Sequence, residues 1–170
     1  MFESSDIKPE AIWKPLASVD KECFACGPEN PYGLRMCFES NGGQIRSKVS
    51  MKQAFRGWSN LIHGGILSTM LDETMSWTVI NFTRKFMLTR SMTVTFKKPV
   101  RVSAVITVTG YIKEQSSERN ALVVADIHDE DGDLCATAEG DFALFSKEHF
   151  LRMAIMPEED IEAMASAISG

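Results

Sequence analysis

The sequence has no long hydrophobic run. Its longest is Ala121-Leu122-Val123-Val124-Ala125, and a membrane-spanning helix needs about 20 apolar residues, so no membrane partner is expected. An excess of positive charge is also missing. Lys and Arg number 18 against 23 Asp and Glu, a formal charge of −5, which argues against a nucleic-acid partner. With six Pro and eleven Gly in 170 residues, the chain is neither collagen-like nor of low complexity. The start, Met1-Phe2-Glu3-Ser4-Ser5-Asp6, lacks the basic and apolar regions of an export signal, and a cytoplasmic location is expected. The four cysteines are then expected to be reduced. Cys23-Phe24-Ala25-Cys26-Gly27 has no second Cys-x-x-Cys to complete a zinc ribbon, and it leads into Pro28 and Asn30-Pro31, which is loop grammar. A structural loop is the first reading there, a metal site completed by His63 or His128 the second, and a redox pair the third. No metal or cofactor is called for.

What remains has the size and composition of one globular domain, 44% hydrophobic and 24% charged. Leu34, Met36 and Phe38 alternate with polar neighbours, Asn41-Gly42-Gly43 is a hairpin signal, and Ile45, Val49 and Met51 mark the returning strand. From 64 to about 82 the period becomes helical. Ile66, Leu67, Met70, Leu71, Thr74, Trp77 and Thr78 share one side, and Gly65, Ser68, Thr69, Asp72 and Ser76 the other. Strands are expected at 86–97, 102–115, 118–129 and 134–145, as a meander. A short helix is expected over 9–13, and a C-terminal helix opens at Pro157 with acids in its first turn. This order predicts an α+β domain in which one antiparallel sheet wraps one long central helix. Its exposed edges favour association with a second copy. The divisions expected are an arm over 1–30, the domain over 31–146 and a helical extension over 147–170. Asp129-Glu130-Asp131-Gly132-Asp133 does not fit a calcium loop, since its glycine is fourth rather than sixth and Gly140 stands at the twelfth position; a charged turn explains it.

The segment that points to chemistry is Asn60-Leu61-Ile62-His63-Gly64-Gly65, running into the helix that carries Asp72 and Glu73. Glycines at a helix start let a ligand approach first-turn amides that have no partner inside the helix, which makes an oxyanion receptor. Asp72 and Glu73 point about 100° apart. His63 reads as a cap that holds the glycine turn.

His63-Gly64-Gly65 with an acid nine residues after the histidine resembles the hotdog-fold acyl-CoA thioesterases of the phenylacetate-pathway and thioesterase-superfamily-member type. The stretch 26–34 and Phe96-Lys97-Lys98-Pro99 carry the likeness further. The resemblance implies hydrolysis of an acyl-CoA thioester, with Asp72 as general base or nucleophile and the amide of Gly64 or Gly65 on the carbonyl oxygen. It implies a hydroxyl from the facing subunit, Thr89 with Ser91 as fallback. It also implies substrate contacts through Asn60, Lys97 and Arg119, and a homodimer or dimer of dimers with its site between subunits. One departure is that Gly57 stands where many members have Asn or Gln. Two other readings remain: an acyl-CoA sensing module without catalysis, and an enoyl-CoA hydratase on the same fold. The hydratase pattern wants a His five residues after the acid, and Trp77 stands there.

Overall fold

The computed structural model describes residues 11–169. In chain order these form β1 (Lys14–Pro15), β2 (Glu39–Ser40), β3 (Ile45–Ser50), a 3₁₀ turn (Gln53–Phe55), α1 (Gly64–Thr83), β4 (Phe86–Phe96), β5 (Val105–Ser117), β6 (Asn120–His128), β7 (Leu134–Phe145), α2 (Lys147–Met153) and α3 (Glu158–Ser169). The strands form one antiparallel sheet in the order β1-β2-β3-β5-β6-β7-β4, and α1 packs across β3 to β7. This is the α+β hotdog architecture.

The core lies between α1 and the sheet face that alternation marks as apolar. Ile106 and Val108 of β5, and Ala121, Val123, Ala125 and Ile127 of β6, all point at the helix. Each large apolar side chain buried there contributes roughly 1.5–3 kcal/mol. The helix is enclosed almost all round from Thr74 to Val79. Thr74 and Thr78, fully buried, donate to the carbonyls one turn back at 2.8 and 2.7 Å, so neither of these two hydroxyls is stranded in the core. Gly110 and Gly140 stand where the helix crosses β5 and β7. A Cβ at Gly110 would lie 2.5 Å from Thr78 Oγ1, and one at Gly140 2.8 Å from Phe142.

Four expectations need correction. The last four strands do not form a meander: β5, β6 and β7 do, but β4 crosses over to the sheet edge beside β7. Local alternation reports which face is buried and carries no information on which neighbour is paired. Residues 34–38 bury Leu34, Met36 and Phe38 as expected, yet only Glu39–Ser40 joins the ladder. Arg35 is left-handed at φ 55°, and Leu34 and Met36 donate instead to the carbonyls of Phe24 and Ala25. The helix expected over 9–13 falls partly outside the described residues; 11–13 are not helical and lead into β1. The C-terminal segment holds two helices rather than one. The extra one, α2, is capped by Ser146, whose hydroxyl accepts from the His149 amide at 3.2 Å. Phe150, Ile161 and Ile168 of the pair cover Phe86 on the outer face of β4.

Candidate active site

His63 ends the loop before α1. Its Nδ1 accepts from the Gly65 amide at 2.9 Å, so the ring proton sits on Nε2. The capping role expected of His63 is visible in this contact. It also separates the two glycines. Gly65 spends its N–H on the cap, and the Ile66 and Leu67 amides donate to the His63 carbonyl. Among the described residues the Gly64 amide has no partner, so of the two glycines Gly64 is the one with an N–H open to a ligand. A cleft of about 290 Å³ opens over it, lined by Leu61, Gly64, Leu67, Phe96, Lys97 and Val100. The Phe96 ring lies 3.4 Å from where a Gly64 Cβ would stand, so any larger residue here would press on the cleft wall. Gly57 packs on the His63 backbone, with 3.2 Å to a hypothetical Cβ. The Asn or Gln of the family pattern would not fit there without a shift.

Asp72 sits half-buried on the side of α1 that faces β4. Thr89 Oγ1 donates to its Oδ1 at 2.9 Å. Burial pushes the Asp72 carboxyl above the ordinary Asp range, and the Thr89 bond partly opposes this. Among the described residues Oδ2 has no partner. The hydroxyl was expected from a facing subunit; the structure makes this bond within one chain.

A bulge in β4 makes the bond possible. Thr89 pairs with Phe142 and Ser91 with Asp141, so Arg90 is the extra residue. Without it, Thr89 and the row Met92, Val94 and Phe96 would point to opposite faces. With it, both face the helix. Ser91 shares the face of Asp141, away from Asp72, and is no substitute for Thr89.

The remaining candidates separate. Lys97 is exposed at the cleft mouth, with no ion pair among the described residues. Its neighbour Lys98 is tied up by Asp129 and Asp133, at 2.5 and 2.7 Å. Asn60 is exposed near the cleft, its carbonyl held by the Val102 amide at 2.9 Å. Arg119 lies at the β5–β6 turn, where its carbonyl accepts from Leu144. That is the opposite end of the sheet from Lys97, which meets Cys135, so one chain does not bring the two cations together. Met75 and Val79 are fully buried core, and Trp58 is 89% exposed. Phe96, which roofs the Gly64 cleft, was missed as a site residue. Its signal was the parity change between Thr89 and Met92.

A second cluster lies on the other side of α1. Glu73 Oε1 accepts from the Trp77 indole at 3.0 Å and from the Cys23 thiol at 3.6 Å. The Cys26 amide donates to Cys23 Sγ at 3.4 Å. Burial raises the Glu73 carboxyl to about 7. Hydrogen bonding with Cys26 holds the Cys23 thiol below the ordinary thiol range, and the same contact together with burial pushes the Cys26 thiol up. His63 is ten residues up the helix from Glu73 and His128 ends β6; neither joins the cluster.

The family model described as the thioesterase superfamily matches residues 59–136, the span that carries the glycine turn, Asp72, Thr89 and Lys97. Among solved structures, one described as a thioesterase superfamily protein is 24% identical with a TM-score of 0.67, covering 74% of this chain. The present chain spans 61% of the length of that protein. A hypothetical thioesterase of Streptococcus pneumoniae, solved with coenzyme A, is 18% identical with a TM-score of 0.58, over 61% of this chain and 82% of the other. The same pneumococcal protein was solved with an aspartate and, separately, a threonine changed to alanine. The PaaI protein from the phenylacetic acid degradation operon of Escherichia coli is 15% identical with a TM-score of 0.61, over 66% and 81%. No protein of curated function matches closely enough to compare. The chain has the hotdog fold, and its residues 59–136 are similar to the thioesterase superfamily.

Proposed function

We propose that the protein hydrolyses an acyl-CoA thioester to the free acid and CoA, and that two copies of the chain make each site. The observation that carries this reading is the half-buried Asp72 carboxylate, held on one oxygen by Thr89 and open on the other. Asp72 Oδ2 takes a proton from water as the water oxygen attacks the thioester carbonyl carbon. The oxyanion that forms accepts a hydrogen bond from a Gly64 amide. The C–S bond then breaks, the leaving CoA thiolate takes back the proton that Asp72 holds, and the acid loses its own proton to solvent and departs as carboxylate. A thiol is a good leaving group, so the reaction needs only a placed base and an oxyanion donor.

Asp72 and Gly64 of one chain do not serve the same carbonyl. Eight residues at 1.5 Å rise put them roughly 12 Å apart along α1. A second copy with its helix antiparallel to the first would set the Gly64 amide of one chain against the Asp72 of the other. The exposed edge of β4, next to Thr89, is open to such a partner. The chemistry requires no metal or cofactor at this centre.

Lys97 at the cleft mouth suits a phosphate of CoA. Lys97→Ala is expected to raise KM for acyl-CoA several-fold and to leave kcat nearly unchanged. The effect should fade above about 0.5 M salt, as an exposed charge contact does. Comparing KM at two salt concentrations checks it.

The test of the reaction itself is thiol release over a panel of acyl-CoA esters, with sedimentation run on the same sample. Turnover by a dimer or larger assembly is the expected result. Tight acyl-CoA binding with no thiol released would make the protein a sensing module. Conversion of crotonyl-CoA to the 3-hydroxyacyl ester would make it a hydratase, although Trp77, bonded to Glu73 and stacked on Phe38 at 5.1 Å, offers no base for that reaction.

A further inference from the structure

The Cys23–Cys26 turn and Glu73 have no part in thioester hydrolysis, yet they are the most constructed polar cluster outside that site. We propose that Cys23, Cys26 and Glu73 bind a divalent metal of the zinc type, which fastens the loop before β2 to the middle of α1. Four observations carry this.

The ligating atoms, two sulfurs and a carboxylate oxygen, all lie within 4.8 Å of one another. Tetrahedral zinc, with bonds of about 2.3 Å to sulfur and about 2.1 Å to oxygen, sets its sulfur and oxygen ligands about 3.6 Å apart. Cys23 Sγ and Glu73 Oε1 stand at 3.6 Å.

The turn is built to present both sulfurs on one side. The Gly27 amide donates to the Cys23 carbonyl at 2.9 Å. A Cβ on Gly27 would collide with the Cys23 backbone at 2.5 and 2.6 Å, so the turn closes this tightly only around glycine. The Cys26 amide already points at Cys23 Sγ, a bond that delocalises thiolate charge toward the backbone.

The carboxylate is oriented from behind. The Trp77 indole, one helical turn along, donates to Glu73 Oε1. Such outer partners fix the direction of a ligand and tune its basicity.

Finally, Glu73 is inside the fold without a cation. Among the described residues no Lys, Arg or His bonds to it; its partners are the indole and a thiol. A buried carboxylate beside two thiols is costly unless a positive charge joins it. The two sulfurs select a borderline-soft metal over magnesium or calcium.

The test is titration of the reduced, metal-free full-length protein with Co²⁺ under anaerobic conditions. One equivalent is expected to give a sulfur-to-cobalt charge-transfer band and tetrahedral visible bands, both bleached by Zn²⁺. Cys23→Ser and Cys26→Ser are each expected to abolish the charge-transfer band at one equivalent. Glu73→Gln should weaken binding at least about 10-fold, and Cys37→Ser, at an exposed cysteine outside the cluster, should change nothing. Excess Zn²⁺ should raise Tm by roughly 5–10 °C in the wild type only. A reduced wild type that gives no band overturns the site without reference to any variant. So does a band that survives Cys23→Ser. So does a Cys23–Cys26 disulfide formed on air oxidation by a protein whose reduced form ignores cobalt.

Discussion

Asp72→Asn is expected to lower thiol release from the best acyl-CoA substrate by about 10³-fold or more, the scale of a lost general base or nucleophile, while the protein folds normally. The amide keeps the shape of the carboxylate, and its oxygen still accepts from Thr89. It cannot take a proton from water. The stability of the variant is as informative as its activity. Burial raises the Asp72 carboxyl, and a carboxyl raised in the folded state binds its proton more tightly there than in the unfolded chain. Ionised Asp72 therefore costs folding free energy at neutral pH. Removing the charge relieves that cost, so Tm measured at pH 7.5 should be equal to or above that of the wild type. A residue whose loss destroys activity while sparing or improving stability is serving chemistry. Thr89→Ala should fall between, because it frees the carboxylate without deleting it. Ser91→Ala, on the far face of β4, should have no effect on turnover. Normal turnover by Asp72→Asn would remove the carboxylate from the mechanism.

The second large effect concerns the sheet. Gly110→Val is expected to destabilise the fold by about 3 kcal/mol or more, lowering Tm by about 6–12 °C for a chain of this size. The Cβ would lie 2.5 Å from Thr78 Oγ1 and 3.1 Å from Thr74 Cγ2. Neither neighbour can step aside. Both threonines are fully buried, β-branched and bonded to the helix backbone. The helix would have to lift from β5, opening contacts made by Met70, Leu71 and Val79. Gly140→Ala should be milder, because two of its three nearest atoms belong to the flexible end of Met75. Thermal unfolding of the two variants side by side checks the ranking.

Much of this architecture was legible because the sequence keeps its periods cleanly. The alternation of Ile106 and Val108 against Val105, Thr107 and Thr109 marks the buried face of β5, and the unbroken helical period from Gly64 ends within a residue of the α1 terminus. His63 was legible as a helix cap from its place before the glycine pair, whereas Asp72 was singled out only by the family resemblance of an acid nine residues after that histidine. What stayed hidden depends on long-range geometry. Nothing local tells β4 to pair with β7 rather than β5. The positive φ of Arg35 has no glycine to announce it. The Asp72–Thr89 bond joins residues seventeen apart and relies on an inserted residue whose only trace is a change of parity. Glu73 read as the silent neighbour of Asp72, and its meeting with Cys23 spans fifty positions.

The bulge at Arg90 also sets how this gene can change length. Insertions and deletions are usually absorbed in loops. Between Thr89 and Met92 the strand has no such tolerance. Deleting any one residue there would restore a regular ladder and turn either the hydroxyl beside Asp72 or the whole row Met92, Val94 and Phe96 out to the solvent face. One loss is chemical and the other is structural, and the strand cannot choose to suffer neither. A shortened β4 would be viable only with a compensating residue added before Phe96, so the distance from the end of α1 to the roof of the Gly64 cleft is inherited as a fixed length.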